Sequence, residues 1–391
     1  MKITAIKSWV VNAYRGNYVF ATIETDEGIV GVGEGTVESR APTVAEAINE
    51  IGRYLVGQDP FDIERHCQII NRDSYYRTGI ILRSALSAVE AAMFDIKGKA
   101  LGVPVYQLIG GQYRDRIPCY ANGWFAGAKT PEQFAERADW AVGQGFRGLK
   151  WDPFGKAYMT MDAAERNNAV ANVRAVREAV GDDVDLMIEA HGRLNVPTAI
   201  YMAEALAEFK PVWLEEPIPP ESIQAMLEVK RRSPIPIACG ERYYETFRFA
   251  ELLEAGAADY WQPDVSHVGG ISAMQKIAHL AETRYIPIAP HNPIGPVANA
   301  MTLHFAAATA NVVVLETMAT DVPWRGEITN EDVIMEDGCM LIPNRPGLGI
   351  ELNEAECLKH PYKEPLTGRH YSGELTNIRP PDQRPFYRTV N

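Results

Sequence analysis
The sequence predicts an α/β fold, a (β/α)8 barrel of the TIM type with an α+β capping domain. After Arg116, eight short apolar or β-branched runs begin near Pro118, Gly148, Asp185, Val212, Pro236, Tyr260, Pro287 and Val312, most of them followed by a helical pattern. Three of these runs end in carboxylates, Glu189, Glu215 and Glu241, separated by two equal steps of 26 residues. A step of that size holds about one strand, one helix and two loops, so parallel strands would deliver the three carboxylates to one rim. The first 115 residues follow a different pattern and form a separate unit.

That unit opens with strand-like alternation at Ile3 to Val11 and Tyr18 to Glu24, then Ile29 to Gly33 after the turn Asp26-Glu-Gly28. An antiparallel meander is expected. From Thr43 to about Lys99 the period becomes helical, with Ala85, Val89, Ala92, Met93 and Ile96 on one face of a long helix. Residues 1–115 therefore read as the N-terminal α+β capping domain. Gly31-Val-Gly33-Glu-Gly35 follows a strand but opens no βαβ unit, so it is not a nucleotide fingerprint.

The barrel spans 116–336. Its second helix shows Val170, Val173, Val176 and Val180 at helical spacing, and its third, opened by Pro197, shows Ile200, Ala203, Leu206 and Phe209. Eight βα units exceed what an open doubly wound sheet usually holds. Residues 337–391 are rich in proline and polar residues and are expected to return to the capping domain.

Totals narrow the function. A chain of 391 residues fits one large domain with a smaller one, and 46% hydrophobic with 23% charged residues is ordinary for a soluble protein. The formal charge of −13, without a basic run, argues against nucleic acid or an anionic membrane as a partner. Cys67, Cys119, Cys239, Cys339 and Cys357 are scattered, odd in number and without a CxxC pair, which predicts reduced thiols. No leader pattern or membrane-length apolar run is present, and a cytoplasmic protein is expected.

In a barrel, chemistry gathers where strands end. Those ends supply Asn122, Lys150 with Asp152, Glu189 with His191, Glu215, Glu241, Asp264 with His267, His291, and Glu316. Three crowded carboxylates repel one another unless a positive charge sits between them. Oxygen-only donors favour Mg2+ or Mn2+ over zinc. Such an ion leaves positions open for a substrate carboxylate and stabilises an ene-diolate.

The segments Leu149-Lys-Trp-Asp-Pro-Phe-Gly155, Ile188-Glu-Ala-His-Gly-Arg193, Leu214-Glu-Glu-Pro217, Gly240-Glu-Arg242, Gln262-Pro-Asp264, Gly269-Gly270 and Ala289-Pro-His-Asn292 resemble the enolase superfamily, mandelate racemase subgroup. Together with Tyr120-Ala-Asn-Gly-Trp124 they most resemble gluconate and galactonate dehydratases. The resemblance implies that Glu189, Glu215 and Glu241 bind Mg2+, His291 is the general base, Asp264 orients it, and His191 is the general acid. Glu316 would hydrogen-bond the substrate carboxylate or a neighbour. Racemases of the subgroup carry Lys-x-Lys where this chain has Lys150-Trp-Asp152. One-base elimination then fits better than two-sided proton exchange, with Lys150 electrostatic and Asp152 on a distal hydroxyl or capping its loop. The expected function is Mg2+-dependent dehydration of an aldonate to a 2-keto-3-deoxy acid; epimerisation or lactone cycloisomerisation of a related acid is the alternative. Tyr14, Tyr75 and Arg77 of the capping domain and Trp324 of the barrel are candidate substrate contacts, with His267 and Arg325 as further rim residues. The partner is a small sugar acid, and the resemblance suggests an even-numbered homo-oligomer.

Overall fold
Alternating apolar residues in the first 34 positions build an antiparallel sheet of three strands, β1 (Ile3–Asn12), β2 (Asn17–Thr25) and β3 (Val30–Glu34), in that order. The structure is a computed structural model, described here for residues 1–73, 75–77, 79–364 and 382–390. The helix Ile80–Leu101 lies across the sheet and is buried on almost every side. It can approach because β3 is glycine at alternate positions. A Cβ on Gly31, Gly33 or Gly35 would fall 2.1, 1.9 and 2.2 Å from the carbonyl oxygens of Ala92, Ala88 and Ser84. The rejected nucleotide motif is thus a contact stripe for a helix backbone.

The parallel strands that follow are β4 (Arg116–Asn122), β5 (Gly148–Trp151), β6 (Asp185–Glu189), β7 (Trp213–Glu215), β8 (Ile237–Cys239), β9 (Tyr260–Trp261) and β10 (Leu315–Met318). The seventh position of the barrel holds no ladder, only Ile288 bridging Trp261 and Val312. Pro287 and Pro290 flank it and remove the donors a longer ladder would need. β10 pairs in parallel with β4 and closes the ring. Tyr120, Met187, Trp213, Ala238 and Ala289 form a cluster of their own inside it. Tyr120 and Asn122, Met187 and Glu189, and Trp213 and Glu215 are each two residues apart, so each strand continues the same face from the interior cluster to the rim.

The last segment divides its contacts. β11 (Val333–Glu336) and β12 (Cys339–Leu341) extend the sheet from the start of β4, and β13 (Tyr387–Val390) pairs with β11. Between them, Gly347 bridges Pro104 and Leu348 donates to Asp95, contacts made with the first 115 residues. All five cysteines are free thiols. Among the described residues, no helix is long and apolar enough to cross a membrane.

Candidate active site
Glu189 and Glu215 are direct register partners on β6 and β7, and Glu241 follows β8 after Gly240. One carboxylate oxygen from each lies within 4.8 Å of the others. Lys150, at 3% exposure, enters the same space from β5. Its Nζ lies 2.8 Å from Glu215, 2.8 Å from Glu316 and 3.6 Å from Glu189. Burial alone would raise the Glu215 carboxyl, but the ammonium outweighs it and holds the group down at about 2. Glu189 goes the other way: burial and the adjoining Glu215 charge push it well above the usual range. Its Oε2 is buried without a hydrogen-bond partner. A set of oxygen donors with excess negative charge and an unspent lone pair fits a hard divalent cation.

His291 stands beside this cluster. Asp264 Oδ2 accepts from Nδ1 at 2.6 Å, and Nε2 lies 3.1 Å from Glu241. Burial would lower the imidazole, yet Glu241 and Asp264 overcome it and raise it to about 10. Nε2 thus faces the Glu241 carboxylate. His267 also approaches Asp264, at 3.6 Å, and its other nitrogen meets Ser84 Oγ of the capping domain at 3.2 Å.

His191 occupies the left-handed region at φ 48°, as does Gly192 at φ 61°. Its backbone N–H donates to Glu189 at 2.6 Å, so the same turn that ends β6 ties the imidazole to the carboxylate trio. Nδ1 meets Asp152 Oδ2 at 2.7 Å. Glu316 accepts from Lys150 and from Asn122 Nδ2 on Oε1, and from the Asn292 backbone on Oε2 at 3.1 Å.

Of the remaining sequence candidates, Asp152 joins this group through His191 and the others lie apart from it. The Asp152 side chain is 3% exposed and meets His191 and Arg193 through Oδ2 and the Phe154 N–H through Oδ1. Tyr75 is 89% exposed and Arg77 is exposed. Tyr14, 46% exposed, lies inside the turn after β1. Trp324 stacks on His360 and donates to the Asn12 carbonyl, serving the contact between barrel and cap. Arg325 is buried between Asp321 and Glu331.

Sequence reading missed two groups. Arg193 holds Asp152 and the Gly155 carbonyl, and Arg15 reaches the Pro293 carbonyl and Glu38 from the capping domain. The first stood in the motif Glu-Ala-His-Gly-Arg193, whose fifth residue was given no role; Arg15 stood in the loop Asn12-Ala-Tyr-Arg-Gly16, expected to offer aromatic and cationic groups, but was not singled out.

Comparison with known proteins agrees with this architecture. Residues 6–110 match the mandelate racemase / muconate lactonizing enzyme N-terminal domain, and residues 133–356 match the enolase C-terminal domain-like family. A D-galactonate dehydratase from Klebsiella pneumoniae (strain 342) is 37% identical over 93% of this chain and 96% of its own. One from Pectobacterium atrosepticum is 39% identical over 90% of this chain and 93% of its own. Among solved structures, a member of the enolase superfamily from Salmonella Typhimurium superposes with a TM-score of 0.88 at 28% identity, covering 92% of this chain and 98% of that one. A mandelate racemase/muconate lactonizing enzyme from Jannaschia sp. CCS1 gives 0.87 at 30% identity, covering 93% and 98%. The chain belongs to the mandelate racemase/muconate lactonizing enzyme family of the enolase superfamily.

Proposed function
We propose that this enzyme is a sugar-acid dehydratase, with D-galactonate, the substrate named for its relatives, as the first acid to test. The observation that carries the reading is a pair of imidazoles beside one carboxylate cluster, each fixed through Nδ1 by its own aspartate. One supplies a base and the other an acid, which is what an elimination requires.

Glu189, Glu215 and Glu241 would hold Mg2+, and the bound ion would supply positive charge to the enolate. His291 Nε2 takes the proton from C2 while Asp264 stabilises the resulting imidazolium. Lys150, pinned between Glu215 and Glu316, adds fixed positive charge beside the developing negative charge. His191 Nε2 gives its proton to the C3 hydroxyl, the C3–O bond breaks, and water leaves. The enol left behind tautomerises to the 2-keto-3-deoxy acid.

Two-sided proton exchange lacks a second base here, since the place after Lys150-Trp151 holds Asp152, already committed to His191 and Arg193. The test is an assay of 2-keto-3-deoxy product with Mg2+ and a panel of aldonates. His291→Asn is expected to lower kcat by about 1,000-fold or more while Mg2+ still binds by calorimetry. An active His291→Asn protein would refute the assignment of the base.

A further inference from the structure
The geometry points to Asp152 as the positioning residue of the acid: its carboxylate fixes the His191 ring so that Nε2 carries the proton to the leaving hydroxyl. This inference rests on the reading of His191 as general acid. Asp152 follows β5 and stands 39 positions before His191 with a whole helix between them, so nothing local demands their contact. Yet Asp152 Oδ2 meets His191 Nδ1 at 2.7 Å and also accepts from Arg193 Nη2. The Phe154 N–H donates to Oδ1 at 2.9 Å.

Each of these bonds restricts the carboxylate. The Phe154 N–H fixes its plane, and Arg193 keeps it ionised together with His191, against the burial that would raise it. Arg193 is itself anchored on the Gly155 carbonyl at 2.6 Å and the Ala190 carbonyl at 3.3 Å, so both loops share one brace. An ionised carboxylate at Nδ1 demands a donor there. Nδ1 thus bears a hydrogen, and the proton available for transfer sits on Nε2. The His191 side chain is 35% exposed while that of Asp152 is 3% exposed, so the ring reaches the open rim and its holder does not. The left-handed backbone at His191 and Gly192 aims the ring, and a Cβ on Gly192 would strike Arg242 Nη2. Asp152 and Asp264 thereby play matching parts for the two imidazoles.

The test uses a leaving group that needs no proton. With a 3-deoxy-3-fluoro aldonate, His291 removes the C2 proton and the C3–F bond breaks to release fluoride without acid assistance. Asp152→Asn is expected to lower kcat on the hydroxy acid by about 100-fold, with KM changed less than about threefold. Fluoride release by the same variant, read with an ion-selective electrode, should stay within about threefold of wild type. Asp152→Glu should recover part of the lost kcat. Equal losses on both substrates would assign Asp152 to loop folding and overturn the inference, as would unchanged turnover of the hydroxy acid. His191→Asn separates the two layers. Full turnover by His191→Asn would remove the acid assignment itself. An inactive His191→Asn beside a fully active Asp152→Asn would remove only the link through Asp152.

Discussion

Lys150 sits at the centre of the site's charge balance. Its ammonium touches Glu215 and Glu316 at 2.8 Å and approaches Glu189, all three carboxylates being buried. Burial would lower it, but these neighbours raise it well above its ordinary value. Removing one partner of such a cluster strands the others. Lys150→Met is expected to cost about 3–5 kcal/mol in metal-free protein, the penalty of an uncompensated buried charge. Added Mg2+ should restore part of the loss, because a divalent cation held by Glu189, Glu215 and Glu241 would replace the missing charge. Thermal unfolding with and without Mg2+ checks both, and a variant as stable as wild type without the ion would contradict this charge balance.

Two devices position the site at the scale of elements. Strand ends carry the clustered carboxylates because side chains alternate, so Trp213 can fill the barrel interior while Glu215, on the same face, reaches the rim. The capping sheet is brought close by absence of side chains. Gly33→Ala would drive a methyl to 1.9 Å from the Ala88 carbonyl, where neither backbone can give way. We expect it to destabilise by about 3 kcal/mol or more in urea unfolding. Gly16→Ala, which meets nothing within 4 Å, should stay within about 0.5 kcal/mol.

Acids from the capping domain tie the whole molecule together at helix starts of the barrel. Glu34 accepts from the Gly295 and Ala298 N–H groups, and Glu90 from those of Ile271 and Ser272. These contacts use the unpaired donors and the positive end of each helix dipole. The same joint contains His304, stacked on Tyr106 and accepting from its backbone N–H at 3.3 Å. Burial lowers His304 to about 4 from its ordinary 6.5. Between these values the unfolded chain binds a proton that the folded one refuses, so stability is present above pH 6.5 and falls as pH drops toward 4. From pH 7 to 5 the loss from this group is about 2 kcal/mol. His304→Gln should flatten that slope, measured by urea unfolding at several pH values; an unchanged slope would exclude His304 as its source.

The sequence by itself determined the repeating βα pattern, the cap that precedes it and the strand ends at which ionisable residues stand. These follow from local periodicity, which needs no knowledge of distant partners. It also placed Glu189, Glu215 and Glu241 on one rim, since equal steps along parallel strands keep the same level of the barrel. Only the tertiary structure decided what each polar group holds. It set Asp152 against His191 and Arg193, left Tyr75 and Arg77 exposed, and divided residues 333–364 and 382–390 between barrel and cap. It reduced the seventh strand to one residue, where two prolines had been legible but their effect on the ladder was not drawn. A hydrogen bond between side chains 39 residues apart depends on loop path and rotamer, and neither leaves a period in the chain.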